Sequence, residues 1–215
     1  MSFPVARCGA LAPTVVLLAA LCASGAAGAE RATLDAVDVQ QIDDELVGVR
    51  DGASSLRIPL LQRERVLWKG AEGTVGVALT DRRLLAFSTT ASQWQEVRFG
   101  REDVAPRIWL GANLALCVTP RRVLHFAGGP GLIGETALSP SEQTLSVEVG
   151  EHVGALVSDR RVLGFSSDGT NVAERRLFVQ ETFESLSTRA TASTVRTSQR
   201  LLVYKRSGGG WFEER

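Results

Sequence analysis

The ten-residue segment Leu79-Thr80-Asp81-Arg82-Arg83-Leu84-Leu85-Ala86-Phe87-Ser88 recurs three times at a constant step of 39 residues, as 118–127, 157–166 and 196–205. Within it an arginine returns at Arg83, Arg122, Arg161 and Arg200, and an aromatic ring at Phe87, Phe126, Phe165 and Tyr204. Outside it the same step carries Glu96, Glu135, Glu174 and Glu213, and a second acidic series of Glu64, Asp103, Glu142 and Glu181. Trp94 and Trp211 share a register that Ile133 and Val172 fill in the middle copies. An internal repeat constrains the fold more than any single motif. One unit of this size cannot bury its apolar face alone and must stack on its neighbours.

Each copy reads as short strands joined by turns. Leu114 to Thr119 and Val123 to Phe126 are apolar runs of strand length separated by Thr-Pro-Arg-Arg, where Pro or Asp suits a tight turn. A Gly/Ser-rich loop follows, then a third strand (Trp94 to Phe99) and a fourth (Gln143 to Val149) with alternating apolar residues. A helical repeat is excluded because no window carries a 3.6-residue apolar stripe free of Gly, Pro or β-branched runs. A β-solenoid is disfavoured by the tight turns, which belong to antiparallel hairpins. The expected fold is all-β, with four short antiparallel strands per period.

The first 29 residues have the form of a secretory signal peptide. Arg7 precedes an apolar run from Leu11 to Leu21, and Ala27-Gly28-Ala29 supplies a cleavage site before Glu30. The run is shorter than the ~20 residues a membrane span needs. Leu18-Ala19-Ala20-Leu21-Cys22 resembles a lipobox, but Leu21 stands where a small residue belongs; a lipid anchor at Cys22 is the alternative to a soluble periplasmic or extracellular product. The mature chain, 30–215, is expected to be one domain with copies near 30–72, 73–111, 112–150, 151–189 and 190–215. The first is degenerate: a step of 39 sets Leu46 under Leu85 and replaces the aromatic with Gly48. The last stops after three strands, so the N-terminal segment Ala32–Val39, which could also be the first copy's own first strand, is the expected donor that closes the array.

Acidic and basic residues balance at 24 each, which removes the field that nucleic-acid binding needs. Arginine outnumbers lysine heavily, a usage that fits a GC-rich bacterial genome. Cys117 alone remains after cleavage, in a slot that Ala78, Leu156 and Val195 occupy elsewhere, and reads as a small buried apolar residue. The repeated arginines lie at the same end as the acidic series. Exposed or half-exposed ion pairs between neighbouring strands and blades, each worth ~0–1 kcal/mol, explain a feature repeated with its counter-charge better than a ring of anion-binding guanidinium groups does. His125 takes a slot held by Ala86, Gly164 and Val203. Neither it nor His152 belongs to a metal-ligand or nucleophile constellation, and no glutamate is singled out for acid–base work. No cofactor and no enzymatic activity are expected. The turns at the other end carry Trp109, Asn113, His152, Asp168 and Arg189, residue types that suit either a sugar ligand or loop packing.

The repeat over Leu46 to Arg215 resembles a β-propeller of the broad WD40, PQQ-like and lectin class, without a WD dipeptide. The Leu79–Leu84 hairpin is also similar to one in bacterial PH-like domains, a fold that four evenly spaced copies do not suit. The resemblance implies a five-bladed propeller closed by its N-terminal strand. It further implies an exported scaffold that binds a protein or cell-envelope partner, with a lectin-like module as the alternative and a hydrolase as the third reading.

Overall fold

The computed structural model describes residues 36–214; the signal-peptide reading, Cys8, Cys22 and the residues before Ala36 lie outside them. The chain builds five antiparallel sheets, one per period. The first holds β1 (Val37–Ile42), β2 (Glu45–Arg50) and β3 (Ala53–Pro59). The second holds β4 (Val66–Glu72), β5 (Val75–Thr80), β6 (Arg83–Ser88) and β7 (Gln95–Arg98). The third runs β8 (Arg107–Leu110), β9 (Leu114–Val118), β10 (Arg122–Ala127), β11 (Leu132–Ala137), and the fourth β12 (Thr144–Val149), β13 (Val153–Ser158), β14 (Arg161–Ser166), β15 (Gly169–Arg176). The fifth is β16 (Phe183–Thr188), β17 (Ala192–Thr197), β18 (Leu201–Lys205) and β19 (Trp211–Glu214). The all-β, five-bladed propeller architecture is as expected, with each strand bonded to its sequence neighbours within its own sheet.

Two expectations are corrected. The fourth strand of each sequence copy leaves it and becomes the leading strand of the next sheet: Val66–Glu72 pairs with Val75–Thr80, not with the strands before it. The connection decides this. Glu72 faces Val75 across a two-residue turn in which Gly73 has φ +55°, whereas six residues separate β3 from β4. A tight hairpin keeps its strands adjacent. The fifth sheet therefore has four strands of its own and needs no donor, and the first sheet, among the described residues, has three. The N-terminal strand does pair with a terminal blade, but with the first, where it takes the position of β5.

The first blade also follows a step of 38 up to its β2–β3 turn. Val39 pairs with Gly48 as Val77 pairs with Ala86. The shift ends where Leu46 faces Ile58, one residue sooner than Leu84 faces Val97. Gly48 is thus not a missing aromatic; it stands in the slot of Ala86, His125, Gly164 and Val203. In the first four blades those slots receive rings. A Cβ on Gly48 would lie 2.7 Å from the Phe87 ring, and one on Gly164 2.8 Å from Tyr204. Phe87, Phe126, Phe165 and Tyr204 are fully buried, each directed at the preceding sheet. The core is accordingly four apolar layers between successive sheets, and both central strands of the second, third and fourth sheets are buried along nearly their whole length.

Candidate functional site

At one end of the sheets the repeated arginines are consumed by the fold. Arg83 donates to Glu64 through Nε (2.9 Å) and Nη2 (3.0 Å), to Glu96 through Nη1, and to the Pro59 carbonyl of the first sheet (2.7 Å). Arg122 repeats this with Asp103, Glu135 and the Arg98 carbonyl, and Arg161 with Glu142, Glu174 and the Ala137 carbonyl. Arg200 does so with Glu181, Glu213 and the Arg176 carbonyl, and its guanidinium lies 3.9 Å from the Phe178 ring centroid. The forked pairing is charge-assisted and bidentate. Each cluster also bonds the sheet before it, so it clamps blade to blade.

The expectation of exposed or half-exposed pairs is corrected: the pairing of each arginine with the Glu64, Asp103, Glu142 and Glu181 series is buried or nearly so. The Arg83 and Arg200 side chains are 4% and 1% exposed. The Thr80, Thr119 and Thr197 hydroxyls donate to the same carboxylates, and Thr80 also accepts from the amides of Arg82 and Arg83. Burial alone raises the carboxyls of Glu64, Asp103, Glu142 and Glu181, but the arginine and amide bonds outweigh it and hold all four below their ordinary range. An anion would find these guanidinium groups already occupied.

At the opposite end, a main-chain ladder joins successive blades: Ala36 N–H to Gly73 C=O, Thr74 to Ala112, Asn113 to Glu151, and His152 to Ala190. Four of the five sequence candidates belong to this belt. Asn113 accepts from the Thr74 hydroxyl at 2.7 Å. His152 contacts the Ser167 hydroxyl and the Glu151 carboxylate, each at 3.3 Å. Asp168 takes both arms of Arg206 at 2.7 and 2.6 Å, and that bond is the leading cause of its lowered pKa. The exposed Arg189 lends its carbonyl to a close approach at Gly150, where a Cβ would sit 2.2 Å away. The turns carrying them join strands within a blade rather than separate blades. Cys117 is buried and its thiol is pushed up to about 12 by desolvation, as a packing residue should be.

Trp109 lies elsewhere. It forms one wall of a groove of about 490 Å³ between the leading strands of the third and fourth sheets, with Val104, Arg107, Glu142, Leu145 and Val147. Val104 is 59% and Leu145 48% exposed. A neighbouring groove of about 430 Å³, between the second and third sheets, shares Arg107 and Trp109 and adds Trp68. The Arg107 side chain is exposed and makes no hydrogen bond or ion pair among the described residues. Sequence reasoning singled out Trp109 but not Trp68, Arg107 or Leu145. A signal was present: these positions read Trp68, Arg107, Ser146 and Ser185, and Leu67, Pro106, Leu145 and Glu184, so they break the repeat. Among the described residues no group of His, Cys, Asp and Glu is placed to hold a metal ion, and no helix is long and apolar enough to cross a membrane.

No protein-family model matches the chain, and no curated protein matches it. Among solved structures it is similar to yeast RCC1 (Prp20) bound to Kap60, at 10% identity and a TM-score of 0.42, over 80% of this chain and 54% of that one. Prp20p from Saccharomyces cerevisiae gives 9% and 0.43 over 80% and 55%. Human WBSCR16 gives 15% and 0.37 over 74% and 56%. The chain spans about half the length of these structures, and its likeness to them is one of fold alone.

Proposed function

We propose that this protein is an exported, non-catalytic scaffold that holds an extended segment of a partner protein in the groove between its third and fourth blades. The observation that carries this is the pairing of an apolar trough, walled by Trp109, Leu145 and Val147, with the unpaired guanidinium of Arg107 at its rim. Charge complementarity then asks for a segment with an apolar side chain and a nearby carboxylate. The groove runs between β8 and β12, both edge strands, whose outward backbone groups can pair with an added chain. Export rests on the N-terminal sequence and sets the compartment in which the partner is met.

Selection from a displayed library of extended peptides tests this. Acidic-apolar segments should be enriched, and Arg107→Ala should weaken them by roughly tenfold, the value of one charge-assisted contact. Trp109→Ala should abolish selection while leaving the far-UV spectrum unchanged. Enrichment that ignores both substitutions, or ligands found only on a glycan array, would overturn the reading.

A further inference from the structure

His125 is the one slot residue that does not suit its slot. Its ring-seating equivalents, Gly48, Ala86 and Gly164, are small and apolar, and Val203 of the fifth blade is apolar as well. The imidazole is instead 0% exposed, 5.1 Å from the Phe165 ring centroid across the third–fourth blade interface. Among the described residues neither ring nitrogen has a hydrogen-bond partner. Native structures rarely leave such groups orphaned, and each one calls for an explanation.

Its position ties it to the groove. Trp109 pairs with Leu116, Leu116 with His125, and His125 with Gly134, so the four form one row across the third sheet. Cross-strand partners share a face, and this face packs on the fourth sheet. Trp109, the groove wall, is therefore two strands from the buried imidazole. We propose that protonation of His125 loosens the third–fourth blade interface and with it the groove, making this protein a scaffold that releases its partner in acid.

Among the described residues no unpaired carboxylate faces the ring. On the elements packed against the ring, the charged groups on the facing side are Arg161, Glu174 and the exposed Arg176, which belong to the ion-pair cluster at the far end. Cys117, Arg122 and Glu135 lie on the opposite face of the third sheet. The carbonyls of Gly169 and Thr170 favour the charged ring but do not reach good hydrogen-bond geometry, and desolvation dominates, pushing the pKa down from 6.5 to about 4. A base whose folded pKa is lowered adds stability that is complete above 6.5 and is lost as pH falls from there to about 4. The carboxylate clusters act in a separate, lower window, below their ordinary values of 4.5 and 3.8.

The consequence for release rests on the groove being the binding site, but the acid-lability is tested without a ligand. Hydrogen exchange of the Leu124–Phe126 amides in the full chain should accelerate, beyond the intrinsic pH effect, by tenfold or more between pH 8 and pH 5. His125→Ala, which copies the second blade, should remove that difference; His125→Val, which copies the fifth, serves if the alanine variant does not fold. The carbon-bound ring protons of His125 should keep their neutral shifts to about pH 4. A ring that titrates near 6.5 in the folded protein, or the same pH dependence in wild type and variants, would overturn the proposal. Acid-labile exchange with no peptide bound at any pH would instead sink the groove reading and leave His125 standing as a blade-stability device.

Discussion

The faces buried between blades and the faces at the two ends of the array use the same backbone and different chemistry. Between blades, β5, β9 and β13 present Val75, Val77 and Leu79, Leu114, Leu116 and Val118, and Val153, Ala155 and Val157. At the fifth blade the same positions on β17 are Ala192, Thr194 and Arg196, the last paired with Glu184 at 2.9 Å. At the first blade, β1 turns Asp38, Gln40 and Ile42 outward, all exposed. Even the ion-pair cluster is rewritten there. Glu45 stands in the place of Arg83 and Arg57 in that of Glu96, a reversed pair at 3.0 Å, 61% and 42% exposed. Repeat arrays need polar outer faces on their terminal units. The 39-residue pattern is therefore a code for covered faces, and it changes on the outer faces of the first and fifth sheets, which are exposed among the described residues.

The sharpest contrast is between Arg200 and Arg57. Arg200→Ala would leave the Glu181 carboxylate buried without its counter-charge and should cost about 3–5 kcal/mol. Arg57→Ala breaks an exposed pair and should cost below ~1 kcal/mol. Urea unfolding of both variants measures the difference, and equal losses would mean the cap is clamped like an inner blade. A comparable loss of ~3–5 kcal/mol is expected for Phe165→Ala, which empties a fully buried ring site. Val49, the first blade's counterpart of Phe87, is half-buried on the outer face, so Val49→Ala should cost no more than about 1 kcal/mol.

Overpacking gives a smaller effect and tests the slots themselves. Gly164→Val should destabilise by about 1–3 kcal/mol because the new side chain meets the Tyr204 ring. Valine is already tolerated at the equivalent Val203, against which no further sheet packs among the described residues. The pH dependence sharpens the comparison last. Glu64, Asp103, Glu142 and Glu181 have lowered folded values, so they contribute stability present above the ordinary carboxylate range and lost as pH falls through the folded values. Denaturation midpoints between pH 5 and 2 should fall for the wild type, and Arg200→Ala should flatten part of that slope by releasing Glu181.

The repeat alone determined the strands, their period, the buried aromatics and the nearness of each arginine to the Glu64, Asp103, Glu142 and Glu181 series; the second acid of each cluster, from the Glu96 series, came only with the structure. The former follow from local alternation and from charge repeated with its counter-charge, both of which one chain of residues displays. Only the tertiary structure decided which sheet each leading strand joins, because alternation marks a strand's faces but not its partner; the tight Glu72-Gly73-Thr74 turn, not strand order, settles that. The one-residue shift of the first blade was hidden for a similar reason. A shortened hairpin moves every upstream side chain to the other face, turning Gly48 from an absent ring into a seat for Phe87. The groove and the buried His125 were least legible, since each is made by two blades meeting. What surrounds Trp109 or an imidazole depends on residues some 20 to 50 positions away, brought near by stacking that no local pattern encodes.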